Sequence, residues 1–234
     1  MREITPPPGR EQVVVQSVLN ARATVQVLWI ERTVPAGDPV TFGVRPLTEP
    51  PARAEVREEG GGVYSFRADT ANPARFLAGF TPLPGRRYDL LVEAEGAVVR
   101  ATTVVPPAVT ILAPAADTVD HPRQSPLQVT WASGTSRQVA VYLTLDTTDV
   151  SSYVFPQWVR DDTTAILPGF AFAPVPPSTR LLWVVAADPV TARVFDPARR
   201  PLGPGGEPTL DGNVTGGVGV FGAVTSDRLL VRLQ

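Results

Sequence analysis

Cysteine and lysine are both absent from this chain, and histidine occurs once, at His121. Without a thiol there is no disulfide staple, no cysteine nucleophile and no thiolate metal site. Without lysine no Schiff base can form, because all 21 basic residues are arginine. General acid–base catalysis runs most often through histidine. Any Ser-His-Asp arrangement would therefore depend wholly on His121. No run of about 18 apolar residues occurs, so no helical membrane span is expected. Blocks of one charge are missing too. The formal net charge is -2, acidic and basic residues alternate, and Arg86-Arg87 and Arg199-Arg200 are only pairs. Nothing in this pattern reads as a nucleic-acid footprint.

What the chain has in quantity is proline, 26 of its 234 residues, together with 43% hydrophobic residues arranged in alternating runs. Such runs, bounded by Gly and Pro, mark β-strands. Gln12 to Asn20 is apolar and β-branched. Ala23 to Val34 sets Val25, Val27 and Trp29 against Thr24 and Gln26. Arg53 to Glu59 alternates charge with Ala54 and Val56, as an exposed or edge strand would. Val63 to Ala68 places Tyr64 and Phe66 inward, and Tyr88, Leu90, Val92 and Ala94 alternate against Asp89 and Glu93. Turn signals stand at Gly60-Gly61-Gly62, Thr81 to Arg87 and Glu95-Gly96. Pro106-Pro107 cannot continue a central strand and reads as a boundary. Beyond it, Leu127, Val129 and Trp131 form an inward face, Val139 to Leu145 returns, and Leu181, Trp183 and Val185 share a face. Tyr153 to Val159, Thr163 to Leu167, Val214 to Thr225 and Leu229 to Leu233 complete the set. Ala71 to Ala78 is the one stretch with a helical alternative, limited by Pro73. The expected fold is all-β: two tandem antiparallel sandwiches, over residues 1–107 and 108–234, with Trp29, Trp131 and Trp183 buried. Removing Val214 onward is expected to destroy the second and spare the first.

Few motifs suggest chemistry. Gly217-Val218-Gly219-Val220-Phe221-Gly222 spells G-x-G-x-x-G, but a dinucleotide site needs a helix after it, and Leu229, Val231 and Leu233 alternate like a strand. A glycine-bearing strand that bends, or lets another backbone approach closely, is the expected role. His121 follows Asp117 and Asp120 in a polar turn that reads as solvated loop. A Ca²⁺ site on the two aspartates would need loop carbonyls, and EF-hand spacing is missing. Asp161-Asp162 beside Thr163-Thr164 reads as a turn or an exposed strand end. Tyr153, Phe155, Trp158, Phe170 and Phe172 form a concentrated aromatic stretch, the candidate binding residues. Exposed aromatic surface marks binding sites, and aromatic rings also fill sandwich cores. No catalytic residue, metal ligand or cofactor is assigned.

Two resemblances add to this reading. Ser125-Pro126-Leu127-Gln128-Val129-Thr130-Trp131, followed by Val139-Ala140-Val141-Tyr142-Leu143-Thr144-Leu145, resembles the early strands of fibronectin type III domains; an immunoglobulin-like first module is implied by the second, looser resemblance. More loosely, Thr103-Val104-Val105-Pro106 and the run Gly212 to Ala223 resemble an uncharacterised family of bacterial predicted outer-membrane lipoproteins. That likeness implies an exported protein, periplasmic or outer-membrane associated, with a lipid anchor on an N-terminal segment that this chain does not include. It supplies no site residues. The function expected is non-enzymatic binding or scaffolding at a cell surface, with a protein or glycan as partner. The alternative is a carbohydrate-binding accessory module built on the 153–172 aromatics.

Overall fold

The computed structural model describes residues 11–34, 44–136, 138–144, 153–169, 177–195 and 212–234. At 44, 153–156 and 195 only the backbone is described. In the first half lie β1 (Val13–Asn20), β2 (Val25–Thr33), β3 (Val44–Pro46), β4 (Arg53–Glu58), β5 (Val63–Ser65), β6 (Arg67–Asp69), β7 (Asn72–Gly79), β8 (Arg87–Ala94) and β9 (Ala97–Val104). The second half carries β10 (Thr110–Ala113), β11 (Thr118–His121), β12 (Leu127–Ala132), β13 (Gln138–Thr144), β14 (Tyr153–Arg160), β15 (Thr164–Leu167), β16 (Ser178–Ala187), a helix α1 (Pro189–Phe195) and β17 (Val218–Leu233).

These strands build two sandwiches that share one large sheet. Among the described residues the shared layer has ten strands in the order β14-β13-β16-β17-β1-β2-β7-β6, with β11 beside β17 and β3 beside β2. Against one of its faces stand a four-stranded sheet, β5-β4-β8-β9, and a three-stranded sheet, β10-β12-β15. The first core joins Val15, Leu28, Ile30, Val56, Phe76, Tyr88 and their neighbours. The second joins Val129, Trp131, Val141, Leu182, Val184 and Val231 with theirs. Such interdigitating inner faces are what stabilises a β-sandwich.

The sharing happens in β17. Its first part runs parallel to β1 in register, from Val14 opposite Val218 to Asn20 opposite Val224. Its second part pairs antiparallel with β16, from Ala187 opposite Val224 to Ser178 opposite Leu233. Odd-numbered residues of β17 face inward in both parts: Phe221 and Ala223 enter the first core, Leu229, Val231 and Leu233 the second. The expectation that removing Val214 onward spares the first sandwich is thereby corrected, because Phe221 and Ala223 belong to its core.

Tyr88 anchors the first sandwich. Its ring is fully buried at the start of β8, and its hydroxyl accepts a hydrogen bond from the Leu83 amide at 2.8 Å. A tyrosine so placed, bonding back to backbone a few residues upstream, is the corner found in immunoglobulin-type sandwiches.

Three further expectations are corrected. Residues 72–79 form β7, not a helix; alternate side chains Ala74, Phe76 and Ala78 reach the core side, and that packing overrides local propensity. β4 lies inside its sheet, between β5 and β8, and is not an edge. In β2 and β16 the alternation is as expected but its sense is reversed. The core takes Gln26, Leu28 and Ile30, and Leu182, Val184 and Ala186, leaving Trp29 and Trp183 half-buried on the outer face. Gln26 tolerates this because every polar atom is satisfied. Its amide nitrogen donates to the carbonyls of Asn20, Ala23 and Phe80, and its oxygen accepts the Asn20 amide. A buried polar group with partners costs little.

Candidate functional site

The aromatic stretch is only partly visible. Trp158 lies on β14, half-buried on the outer face. Tyr153 and Phe155 share that strand, where only backbone is described, and Phe170 and Phe172 lie outside the described residues. Strand pairing instead brings Trp158 next to residues that sequence spacing did not connect. Trp158 stands opposite Ala140, which stands opposite Val185. The next row holds Tyr142, Trp183 and Arg228 on β13, β16 and β17. The Arg228 guanidinium sits 5.5 Å from the centre of the Trp183 ring, a cation–π distance. The Trp183 indole nitrogen is buried without a hydrogen-bond partner. Three of the four tryptophans, Trp29, Trp158 and Trp183, therefore lie on the outer face of the large sheet; Trp131 alone fills a core. The signal that could have linked them was strand register, which sequence periodicity does not carry.

The polar residues singled out by sequence serve the framework. His121 is not in a solvated loop. It ends β11, which runs parallel to the end of β17, and it is 8% exposed. Its ring nitrogen Nε2 stands 2.9 Å from the Ser125 carbonyl. Asp117 is exposed, and Asp120 pairs across to Arg232 at 3.8 Å. Among the described residues no group of three or more His, Cys, Asp or Glu is placed to hold a metal ion. Asp161 takes a left-handed turn conformation, φ 54°, and Asp162 accepts the Thr163 amide at 2.6 Å. The G-x-G-x-x-G run enters β17 with no helix after it.

Asp188 was not foreseen. It is 5% exposed and caps α1: Oδ1 accepts the amides of Val190 and Thr191 at 2.7 and 3.1 Å, and Oδ2 accepts the Thr191 hydroxyl at 2.7 Å. Oδ2 also accepts the Ala223 amide, and the Asp188 amide donates to the Ala223 carbonyl at 3.0 Å. An aspartate immediately before the first helical residue is a familiar cap, but the Ala223 contact spans 35 residues and has no local signature.

Two hollows flank the junction of the sandwiches. One, about 450 Å³, is lined by Val104, Pro106, Pro107, Ser136, Gln138 and Asp188 among others. The second, about 490 Å³, lies where β17 leaves β1 and has not yet met β11, beside Arg22, Asp117, Asp227 and Arg228. Arg22 fills part of this gap, donating to Asp227 at 3.1 Å and to the Ser226 carbonyl at 3.3 Å. Local electrostatics follow burial and backbone bonding. Burial pushes the Glu31 carboxyl and the Tyr88 phenol up. The Thr48 amide, with its hydroxyl and Arg32, holds the Glu95 carboxyl below its ordinary range.

Nearly all the regular structure among the described residues is β-strand, in two sandwiches that share one sheet, with a tyrosine corner in the first; this is the architecture of an immunoglobulin-like and fibronectin type III-like tandem. The chain belongs to the family described as "Domain of unknown function (DUF4249)", whose model matches residues 3–169. No curated protein matches. Among solved structures it is similar to a tandem pair of Ig domains from titin, at 8% identity and TM-score 0.25, covering 97% of this chain and 99% of that one. A two-domain fibronectin type III segment of chicken tenascin is similar at 15% identity and TM-score 0.21, covering 76% and 90%. An I-band fragment of titin is similar at 6% identity and TM-score 0.25, covering 98% and 66%.

Proposed function

We propose that this chain is a non-enzymatic binding or scaffolding protein, exported and anchored at a bacterial surface, with two sandwiches that divide near Pro106-Pro107 and share the C-terminal strand β17. The observation that carries the binding role is the outer-face patch of Trp158, Tyr142 and Trp183 beside Arg228. Half-exposed aromatic side chains on a stiff sheet offer contact area at low entropic cost, as binding surfaces require. The framework roles of His121 and Asp188 support a non-catalytic reading. Export and anchoring rest on the resemblance of Gly212 to Ala223 and of Thr103 to Pro106 to surface lipoproteins. Fractionation of the source cells, with mass spectrometry of the native N-terminus, tests them. A lipidated cysteine upstream, in the membrane fraction, is the expected result; a cytosolic protein beginning at Met1 contradicts it.

The same patch favours a second reading, glycan binding. Indole and phenol faces stack on the C–H faces of sugars, and a neighbouring guanidinium can donate to hydroxyls. Affinity electrophoresis through gels containing polysaccharides separates the readings. Retardation that is lost in Trp158→Ala and Trp183→Ala supports a glycan; migration unchanged in every gel leaves the protein-partner reading.

A further inference from the structure

We infer that the glycine-rich run from Gly212 to Val224 is a clasp that locks the two sandwiches into one folding unit with one fixed mutual orientation. Three independent sets of contacts meet in it. First, it is bound to the first sandwich on two sides. Residues 218–224 lie along β1, and Thr215 exchanges two backbone hydrogen bonds with Arg100 of β9, at 2.8 and 2.9 Å. Second, Asn213 ties these sides together. Its amide nitrogen donates to the Thr102 carbonyl and the Phe221 carbonyl, both at 2.8 Å, and its oxygen accepts the Phe221 amide at 3.0 Å. Third, the same strand continues without a break into the second sandwich, pairing with β16.

The glycines show how closely the clasp is seated. Gly219 has φ 130°, a conformation that L side chains rarely adopt, and a Cβ there would fall on the Val15 carbonyl oxygen. At Gly222 a Cβ would meet the Thr191 hydroxyl and the Asp188 carboxylate. Side contacts reinforce the junction. Asp227 accepts Arg22 from the β1–β2 turn on one oxygen and the Ile111 amide of β10 on the other, at 3.1 and 2.9 Å. The Thr225 hydroxyl donates to the Pro107 carbonyl at 2.8 Å. A tandem joined only by its linker would leave its domains free to turn, the default for small interfaces. Here a sixteen-residue strand belongs to both.

Calorimetry with hydrogen exchange on the full chain tests this. The wild type is expected to unfold in one transition, with β1 and β16 amides sharing the slowest exchange. Asn213→Ala removes the bridge without filling space. It is expected to lower the whole transition by roughly 5–10 °C and to speed exchange in β1 about tenfold or more. Gly219→Val is the harsher variant, expected to split the transition or to abolish folding of both sandwiches. Two wild-type transitions, or an Asn213→Ala protein in which β1 exchange is unchanged, would overturn the inference. If Gly219→Val does not fold, the Asn213→Ala result decides alone.

Discussion

Asp188 is a single carboxylate with four donors around it, two from the first turn of α1, one hydroxyl and one from β17. Removing it leaves several buried donors without partners, and hydrogen bonds to a charged acceptor are worth more than neutral ones. Asp188→Ala should cost about 3 kcal/mol or more, and Asp188→Asn clearly less, read as shifts of the urea midpoint. Tyr88 makes a prediction about pH. Burial raises its phenol above the unfolded value, so the fold favours the neutral form. The stability this contributes is complete below the ordinary phenol range, near pH 10, and is lost as pH rises through the raised folded value. Tyr64 is raised as well, by burial and then by its bond to Glu58. Tyr88→Phe should therefore flatten the alkaline fall in stability without abolishing it, and should itself cost about 1 kcal/mol at neutral pH. An unchanged alkaline profile would show that the Tyr88 corner is not as buried as described.

At the scale of elements, sequence alternation located most strands and failed on direction. It marked two faces of β2 and β16 and could not say which was inside, because both faces of the ten-stranded sheet carry apolar residues. Sharing a face with Val25 and Val27, or with Leu181 and Val185, suggested Trp29 and Trp183 as core, whereas the core accepted Gln26, whose partners Phe80 and Asn20 come from separate turns. Where one face was charged, as in Arg87 to Ala94, the reading and the structure agree, with Tyr88, Leu90 and Val92 buried; in β4, Ala54 and Val56 are buried as read, but Glu55 is buried with them. The site was less legible than the fold. Trp158 was in view, but Tyr142, Trp183 and Arg228 join it only through register. The consequence is measurable. Trp131→Ala should cost about 3–5 kcal/mol, as full core truncations do. Trp29→Ala and Trp183→Ala should each cost roughly 1–2 kcal/mol, as half-buried rings do. Equal losses at all three positions in denaturant titrations would contradict the outer-face assignment.

On the scale of the whole molecule, the glycine-rich run joins what the proline pair divides. Glycine weakens an ordinary strand, so its density near the C-terminus called for a reason, and close backbone approach was the reason legible in sequence. What the run approaches was not, because parallel pairing between residues about 200 apart leaves no local trace. The central claim, that β17 lies in register beside β1, can be tested directly because the chain has no cysteine of its own. Gln16 and Val220 are register partners, and neighbouring Cα atoms across a strand pair are within disulfide reach. The double variant Gln16→Cys with Val220→Cys should oxidise to an intrachain bond in the native state. Gln16→Cys with Arg228→Cys, eight residues further along β17, should not. No bond in the first pair, or equal bonding in both, would contradict the shared strand.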